Sequence, residues 1–600
     1  AKDMTDITVI AGDTVNLSAV NSMSNQNAIA QNSIDVTVKG AYLAKGNVVL
    51  GNLGSVVTNN NANSVPVNAS GVKTTGVTGL VEITTSGPEG NISQKAGSLI
   101  VADRIDLNSN NGSIYGHAQE DGSVTALQLY AGQQPIGLDT VDASVNASAK
   151  GDINLEQVDG NMRIGRIYAT EGDVTLTVAH GSVEDALPYV SSDRGDADDM
   201  VARWKRLGIV DIEGSDADML TAKNFQNQSA KMDAYEAWDT YALLYAVQDS
   251  IVNPEASALP STSDKDPNVI GHNITINVAD SVGMNSGIEK RIDAATLLDK
   301  DASGNYKNLD DLKSLSKLDA STKVTWETGD NGHTYAVYTE TIPIGIQQTT
   351  KIEATGQGTT VVNGKLTIQS AATSDASSNA LHGDIFLQGR EQKLANGEGT
   401  PITQNKDLFV NNILTNVGEV TLTSLGGIYN AASSNLPAIT GQNLVITAAG
   451  GSIGTEAVHL TTKLLGEDKT TDGLYAIATG GIYVDQKGYN SLLVRNISSG
   501  GDIYLGSDQN IIMGVVNGTD AVNYIRAENN GDIVLEARGG SIGEPVYETD
   551  KDGNVLVDSN NKPIIYRDKN NGIRILNSVA ASSSANDTNV SNVILRAQDN

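Results

Sequence analysis

The sequence predicts an all-β solenoid from three observations: a short recurring phrase, a short repeat length and a composition suited to a narrow core. The phrase is an alternating apolar run, a polar glycine-containing turn and then Gly-Ser-Ile or Gly-Ser-Val. In each copy a serine follows the first apolar residue by eight positions, and the copies begin at Ile105, Val174, Leu444 and Ile533. Repeats of this kind stack on their neighbours to bury a continuous apolar core.

The repeat length favours a coil of short strands. Ile153 and Val174 lie 21 positions apart, as do Ile482 and Ile503. This spacing is too short for a propeller blade, and the intervening segments carry alternating branched residues without a long helical period. Gly, Asn and Asp supply the corners. One coil of a β-helix needs this alternation of strand and turn.

The composition agrees with a narrow core. Only three Phe and three Trp accompany 61 Gly in 600 residues, and 39% of the residues are hydrophobic. Val, Ile, Leu and Ala therefore have to fill the interior. The pattern begins by Ile7 and still runs at Val593, so we expect an internal segment of a longer chain.

Charge and cysteine content exclude several classes of partner and site. The net charge of −31 disfavours nucleic acid and anionic membrane surfaces, which select basic patches. We therefore expect no nucleic-acid partner. The chain has no cysteine, which excludes disulfides, thiolate metal sites and cysteine nucleophiles.

Three strings carry a family resemblance: Gly151–Val183, Thr447–Glu456 and Gly480–Asp485. They resemble the repeats of very large bacterial exoproteins of the filamentous haemagglutinin and leukotoxin-type filamentous adhesin group. The resemblance implies a right-handed parallel β-helix that is secreted or held at the bacterial cell surface. It also implies export by an outer-membrane two-partner transporter, and attachment to a protein or glycan receptor on host cells, bacterial cells or matrix.

Two insertions are expected to interrupt the β-helix. The predicted arrangement is β-helix over 1–183, a mainly α-helical insertion over 184–270, one rung over 271–285, a second insertion over 286–364, and β-helix over 365–600 with a hairpin near 545–566. In the first insertion, a helix from Ser215 to about Ser250 carries an apolar stripe. The candidate binding residues there are Trp204, Trp238 and Tyr245. The alternative is a helical hairpin that packs this stripe against the β-helix or against itself.

The second insertion contains a candidate calcium loop. Its oxygen-bearing residues are Asp299, Asp301, Ser303, Asn305 and Asp310, with Gly304 at the sixth position. This spacing resembles an EF-hand loop, in which hard oxygen ligands converge on Ca²⁺. Helices are predicted at 288–298 and from Leu309 onward. The loop departs from the pattern because aspartate replaces glutamate at position 12, and a solvated helix-loop-helix is the alternative.

A hairpin with aromatic residues is predicted after this loop. The runs 322–327 and 334–340 flank Gly329-Asp-Asn-Gly332. Trp326 and Tyr335 are candidate sugar-stacking residues, and the alternative is that they cover the hairpin face.

The expected function is a rigid stalk that carries inserted modules for cell or matrix attachment. The alternatives are a pure structural spacer of a surface fibre and a β-helix polysaccharide lyase or glycosidase. We expect no enzyme, because the carboxylate pairs, such as Asp198 with Asp199, are only sequence neighbours and the six histidines show no metal-ligand spacing.

Overall fold

The computed structural model describes a series of β-strands and their connections. Backbone is described for residues 3–5, 8–10, 14–19, 22–30, 33–38, 48–55, 80–86, 90–102, 104–131, 144–186, 267–293, 325–328, 334–355, 358–373, 383–390, 406–432, 436–469, 472–514, 524–529, 531–543, 575–577 and 592–598. Side chains are described in these ranges except for 3–55 (Leu17 apart), 80, 104, 284–293, 325–341, 354–358 and 575–577. The chain divides into two compact units, 1–270 with 390–402 and 271–389 with 403–600.

In the first unit the chain alternates between two parallel sheets, here called the first and the second sheet. The first sheet contains β1 (Asp3–Thr5), β2 (Thr8–Ile10), β4 (Ser22–Ala30), β6 (Val48–Ser55), β8 (Ile92–Gln94), β9 (Ile100–Ala102), β11 (Leu127–Ala131), β13 (Ile153–Gln157) and β15 (Val174–Val178). The second contains β3 (Thr14–Ala19), β5 (Ser33–Val38), β7 (Leu80–Thr85), β10 (Arg104–Ser109), β12 (Val145–Ala149), β14 (Met162–Ala169), β16 (Val183–Asp185) and β17 (Val269–Gly271).

The second unit repeats this alternation. Its first sheet contains β18 (Ile274–Val278), β25 (Leu366–Ser370), β27 (Leu408–Leu414), β29 (Ile428–Asn430), β30 (Ile439–Gly441), β32 (Leu460–Leu464), β34 (Ile482–Gln486), β36 (Ile503–Ser507), β39 (Ile533–Ala537) and β41 (Val593–Ala597). Its second sheet contains β22 (Ile344–Gln348), β26 (Ile385–Gly389), β28 (Val420–Ser424), β31 (Leu444–Ala448), β33 (Leu474–Ala478), β35 (Leu492–Ser499), β37 (Ile511–Met513), β38 (Ile525–Ala527) and β40 (Ile575–Asn577).

Two smaller antiparallel sheets belong to the second unit. One contains β19 (Met284–Asp293), β20 (Thr325–Thr328) and β21 (Thr334–Ile342), with β21 in the centre. The other is a hairpin of β23 (Thr350–Thr355) and β24 (Gly358–Asn363).

The predicted repeat is confirmed by the pairing of successive strands. Ile153 pairs with Val174 and Ile482 pairs with Ile503, each in a parallel ladder without a register shift. All regular elements in the described part of the chain are strands, and the parallel sheets are solenoid-like. The all-β class is therefore confirmed.

Alternation along each strand separates the core from the outer surface. In β13 and β15 the first, third and fifth residues are buried and the two between them are half-buried. Side chains of successive residues point to opposite faces of a strand, so the aliphatic residues of each rung stack on those of the next. In the described residues the core is filled mainly by Ile, Leu, Val and Ala, as the composition predicts.

The Gly-Ser-Ile phrase has a defined role in the first sheet of each unit. Its isoleucine forms a one-residue bridge between neighbouring rungs: Ile114 pairs with Ile92 and Ile153, and Ile453 with Ile428 and Ile482. The preceding serine stabilises the corner. The Ser113 hydroxyl accepts a hydrogen bond from the Asp152 backbone N–H (3.0 Å).

Asp and Asn residues connect corners from rung to rung. The Asp502 carboxylate accepts the N–H of Asp532 (2.8 Å), and the Asp532 carboxylate accepts the N–H of Asn592 (2.6 Å). Asn161 does the same for the N–H of Ser182 (3.0 Å). These bonds satisfy backbone donors at bends, where strand pairing has ended. They explain why Asp or Asn so often precedes the first apolar residue of a repeat.

Some rungs are formed by two short strands placed end to end. In the first unit β14 pairs with β16 through Met162 to Ile164, and with Val269 and Ile270 of β17 through Ile167 and Tyr168. The chain therefore leaves one rung after Asp185 and returns to the same rung near Pro267. The same division occurs where β35 pairs with both β37 and β38.

This arrangement corrects the predicted insertion boundaries. Residues 184–185 and 269–270 belong to strands of the parallel sheet, and residues 186, 267 and 268 adjoin those strands. The remaining part of the predicted helical insertion, 187–266, lies outside the described residues. The predicted second insertion, 286–364, contains a rung strand, because β22 pairs in parallel with β26. The hairpin predicted near 545–566 lies outside the described residues.

The predicted helix at 288–298 is wrong over its first half. Residues 288–293 belong to β19, which pairs antiparallel with β21. The helix was predicted because it would enter the EF-hand-like loop, but pairing with a strand more than 40 residues away overrides such a local expectation. The antiparallel pairing predicted for the hairpin is confirmed for the backbone of 325–328 with 334–337, whereas 322–324 and 329–333 lie outside the described residues.

Four buried glutamines extend the ladders past the ends of strands. In each case the side-chain amide bonds to one residue of another strand, accepting a hydrogen bond from its backbone N–H and donating one to its carbonyl. The pairs are Gln94 with Gln128, Gln157 with Ala131, Gln348 with Phe409, and Gln486 with Leu464. The glutamine amide thus replaces a missing peptide group in the interior.

Replacing Gln486 with methionine is expected to destabilise its rung by about 2 kcal/mol, because a buried N–H and a buried carbonyl of Leu464 lose their partner. Gln442→Met is the matched control, since that amide donates only one solvent-exposed hydrogen bond. Guanidinium unfolding midpoints and hydrogen exchange of peptides over 460–490 measure the difference. Equal shifts for the two variants would contradict this role.

Candidate functional site

The predicted binding and calcium residues are mostly not placed. Trp204, Trp238, Tyr245 and the loop residues Asp299, Asp301, Ser303, Asn305 and Asp310 lie outside the described residues. Trp326 and Tyr335 lie on the adjacent strands β20 and β21. Trp326 is opposite Ala336 and Tyr335 is opposite Glu327, so the two aromatic residues are not direct cross-strand partners.

The second unit contains an aromatic row that the sequence reasoning missed. The row follows the outer face of the first sheet, one position after the buried residue that begins each strand. Phe409 pairs with Tyr429, and Tyr483 pairs with Tyr504. All four side chains are half-buried, whereas the residues on either side of each are buried, Asn430 apart. We call Phe409, Tyr429, Tyr483 and Tyr504 the aromatic row.

A glycine interrupts the aromatic row. The Ile428–Ile453 and Ile453–Ile482 bridges place Gly454 on the rung between Tyr429 and Tyr483. With a spacing of about 4.8 Å between strands, the two tyrosines start about 9.6 Å apart along the sheet. Gly454 has a positive φ of 67°, and no side chain rises between the two rings from this position.

Tyr429 and Tyr483 lie over glycines. A Cβ atom built on Gly427 would be 2.7 Å from Cε2 of Tyr429, and one built on Gly481 would be 2.5 Å from Cε2 of Tyr483. Each ring therefore folds back along the surface onto the glycine two positions before it. Only a residue without a side chain leaves room for this placement.

Tyr504 instead leans toward a charged cluster. Its hydroxyl donates a hydrogen bond to Glu536 (2.5 Å). The Arg538 guanidinium donates to Asp508 through Nε (3.1 Å) and Nη2 (2.8 Å), and Nη2 also pairs with Asp485. His459 packs on Tyr504, with ring centroids 4.2 Å apart.

The charges in this cluster balance. Asp485, Asp508 and Glu536 carry three negative charges, and their ion-pair partners Lys487, Arg538 and Arg596 carry three positive charges. This patch is therefore close to neutral on a chain of net charge −31.

The environment shifts several pKa values here. Burial and the Glu536 hydrogen bond raise the pKa of Tyr504. Burial lowers the pKa of His459 despite the nearby Asp485 carboxylate. Burial opposes ionisation of Asp508, but hydrogen bonds from Arg538 and the Gly488 N–H outweigh it and lower the pKa of that carboxyl.

Burial also raises the pKa values of Tyr429 and Tyr483. The Asp407 carboxylate raises the pKa of Tyr429 further, and Asp502 and Glu456 raise that of Tyr483. Each of the two tyrosines that lie over a glycine therefore has at least one carboxylate close enough to raise the pKa of its phenol.

A repeated sequence signal marks the row. Three of the six Ile-Tyr dipeptides in the sequence, at Ile428, Ile482 and Ile503, directly follow a corner of the first sheet in the second unit. Single-strand patterns give no reason to group these dipeptides. Alignment of the rungs shows that their tyrosines follow one line on the outer surface.

The first unit contains a second polar cluster, at the rung where 186 and 267 meet. Arg163 pairs with Glu184 (3.2 Å), and both side chains are less than 10% exposed. Asn161 donates to the same carboxylate (2.5 Å). Asn268 donates to Asp185 (2.7 Å) on the next position of the strand. These bonds fix both ends of the divided rung.

Within the described ranges, no group of three or more His, Asp or Glu side chains is arranged to hold a metal ion. No helix in those ranges has the length and apolarity needed to cross a bilayer. Comparisons with protein-family models, curated proteins and solved structures gave no match.

Proposed function

We propose that this chain is a segment of a secreted or surface-anchored bacterial adhesive fibre, in which a right-handed parallel β-helix acts as a stiff stalk for attachment modules. The observation that carries the proposal is the in-register stacking of short parallel strands, rung on rung, within each unit. Continuous backbone pairing and corner ladders resist bending and stretching. The resemblance of the repeats to filamentous adhesins supports export through a two-partner transporter and a location at the cell surface.

The divided rung supports the placement of a module. Because β16 and β17 continue along one neighbouring strand, residues 187–266 connect two points of a single rung. An insertion attached in this way leaves the stacking of the remaining rungs intact. The Arg163–Glu184 ion pair joins β14 to β16, the strand from which the insertion departs. Force on the insertion would therefore be transmitted to the rungs of the stalk.

The polysaccharide lyase or glycosidase alternative has less support. A glycosidase needs a general acid that stays protonated, usually a carboxyl with a raised pKa. In the Arg538 cluster the pKa of Asp508 is lowered, and Asp485 and Glu536 accept hydrogen bonds from Arg538 and Tyr504. This arrangement suits a fixed polar surface.

The proposal is tested by attachment of the purified 600-residue chain to host epithelial cells, bacterial cells and immobilised matrix protein, with and without calcium. A second chain replaces 187–266 with a short Gly-Ser linker, which needs to span only the few residues of β14 between Ile164 and Ile167. We expect saturable binding by the intact chain, and its reduction by the deletion without loss of rung stability. A folded intact chain that attaches to none of these surfaces would contradict adhesion and favour the spacer.

A further inference from the structure

We propose that the aromatic row binds a neutral, extended polysaccharide, with Tyr429 and Tyr483 as two stacking platforms. This inference deepens the adhesive function proposed above and rests on it. It assigns a ligand class to a surface of the β-sheet itself, separate from the insertions.

The first argument is the shape of the platforms. The phenol ends of Tyr429 and Tyr483 lie over Gly427 and Gly481, which carry no side chain that would lift the rings away from the surface. The His459 ring lies nearly parallel to that of Tyr483, with centroids 6.2 Å apart, and extends this aromatic surface. Both side chains are half-buried, which fixes the rings yet leaves part of each accessible. The apolar C–H face of a hexopyranose buries well against such a ring.

The second argument is the spacing. Gly454 separates the two tyrosines by one rung, so the platforms repeat after about 9.6 Å along a straight ladder. This length is close to one disaccharide unit of an extended β-1,4-linked chain, whose alternate sugars turn the same face toward the protein. A linear polysaccharide laid along the sheet therefore meets both rings at once.

The third argument is charge. Asp407 lies near the Tyr429 phenol and Asp502 near that of Tyr483. Each carboxylate accepts a backbone N–H, from Gly427 and Asp532 respectively, so both are held beside the rings by the corner bonds. The same carboxylates, on a chain of net charge −31, repel an anionic polymer.

The polar cluster continues this surface beyond Tyr483. Tyr504, Glu536 and Arg538 are held in one hydrogen-bonded arrangement whose charges balance. Fixed donors and acceptors beside an aromatic platform orient a ligand at little entropic cost. A neutral chain of hydroxyl groups fits this surface better than a charged one.

The experiment measures binding of cellohexaose and chitohexaose to the intact chain by titration calorimetry, with an alginate hexamer as the anionic comparison. We expect saturable binding of at least one neutral hexasaccharide and none of alginate. The disaccharides should bind at least tenfold more weakly than the hexamers, because they reach only one platform. Absence of neutral binding, or preference for alginate, would overturn the proposal.

Substitutions locate the site. Tyr429→Ala and Tyr483→Ala should each weaken binding by about tenfold or more, whereas Tyr483→Phe, which keeps the ring, should stay within about threefold. Tyr489→Ala is the matched control, because that side chain is 95% exposed and lies outside the row. An unchanged affinity in both platform variants, or an equal loss in the control, would reject the assignment.

A measurement on the unmodified chain guards against variants that fail to fold. Nitration of tyrosines by tetranitromethane, read by peptide mass spectrometry, should slow at Tyr429 and Tyr483 when hexasaccharide is present and remain unchanged at Tyr489. Uniform rates would overturn the proposal. Loss of sugar binding with cell attachment retained would reject this site and leave the adhesive function standing, so the two failures are distinguishable.

Discussion

Replacing Arg163 with methionine is expected to destabilise the divided rung of the first unit by about 3–5 kcal/mol, because it leaves the buried Glu184 carboxylate without its cation. Methionine keeps most of the side-chain volume, so the change isolates the charge. Asn161 still donates one hydrogen bond to Glu184, but a neutral amide does not replace a guanidinium. The measurement is the guanidinium unfolding midpoint together with hydrogen exchange of peptides from 160–186.

The exposed pair Lys150–Glu171 provides the control. Its atoms are 3.6 Å apart, and its side chains are 49% and 67% exposed. Lys150→Met should therefore cost at most about 1 kcal/mol. The double variant Arg163→Met with Glu184→Leu should recover much of the loss, since an apolar pair replaces the buried ions without leaving an unpaired charge. A destabilisation of the double variant equal to that of Arg163→Met would show that packing, and not charge, sets the effect.

This pair also shows why part of the structure escaped the sequence analysis. The sequence predicts that Glu184 begins an insertion, because β16 has only three residues and no period can be read from so short a run. Its strand identity depends on pairing with β14, and β17 completes the same rung only after residue 267. Divided rungs are set by contacts distant in sequence.

The repeated corners were predictable, and the surface between them was not. The Gly-Asp-Ile sequences that end at Ile153 and Ile503 correctly predict where strands begin. They do so because the same residue types occupy the corner before the strand in both rungs. The aromatic row consists of residues 20 or more positions apart, such as Tyr429, Tyr483 and Tyr504. Its members become neighbours only when the rungs are aligned. Local propensity therefore predicted the fold class, whereas the candidate site required the register.

Replacing Gly531 with alanine is expected to destabilise the second unit by about 3 kcal/mol. In the register of the rungs, this corner glycine lies directly against the backbone of the preceding rung. An added Cβ would lie 2.5 Å from the carbonyl carbon of Gly501 and 3.0 Å from the Asp502 nitrogen. Both atoms belong to the backbone of the preceding rung, so no side-chain rotation relieves the clash. The rungs would have to separate at the corner, which would strain the Asp502 carboxylate bond to the Asp532 N–H (2.8 Å).

Gly501→Ala is the matched control in the same stack of corners. Its added Cβ would lie no closer than 3.4 Å to another atom, the Gly481 nitrogen, and so fits without displacement. Alanine also reduces the entropy of the unfolded chain, so this variant should be neutral or more stable by up to about 1 kcal/mol. Unfolding midpoints and hydrogen exchange over 500–540 compare the two. Because a solenoid rung contacts only its neighbours, protection should be lost on the rungs beside Gly531 and retained farther along. Equal behaviour of the two alanine variants would mean that close backbone stacking at the corners does not hold the rungs in register, and would remove the physical basis for a stiff stalk.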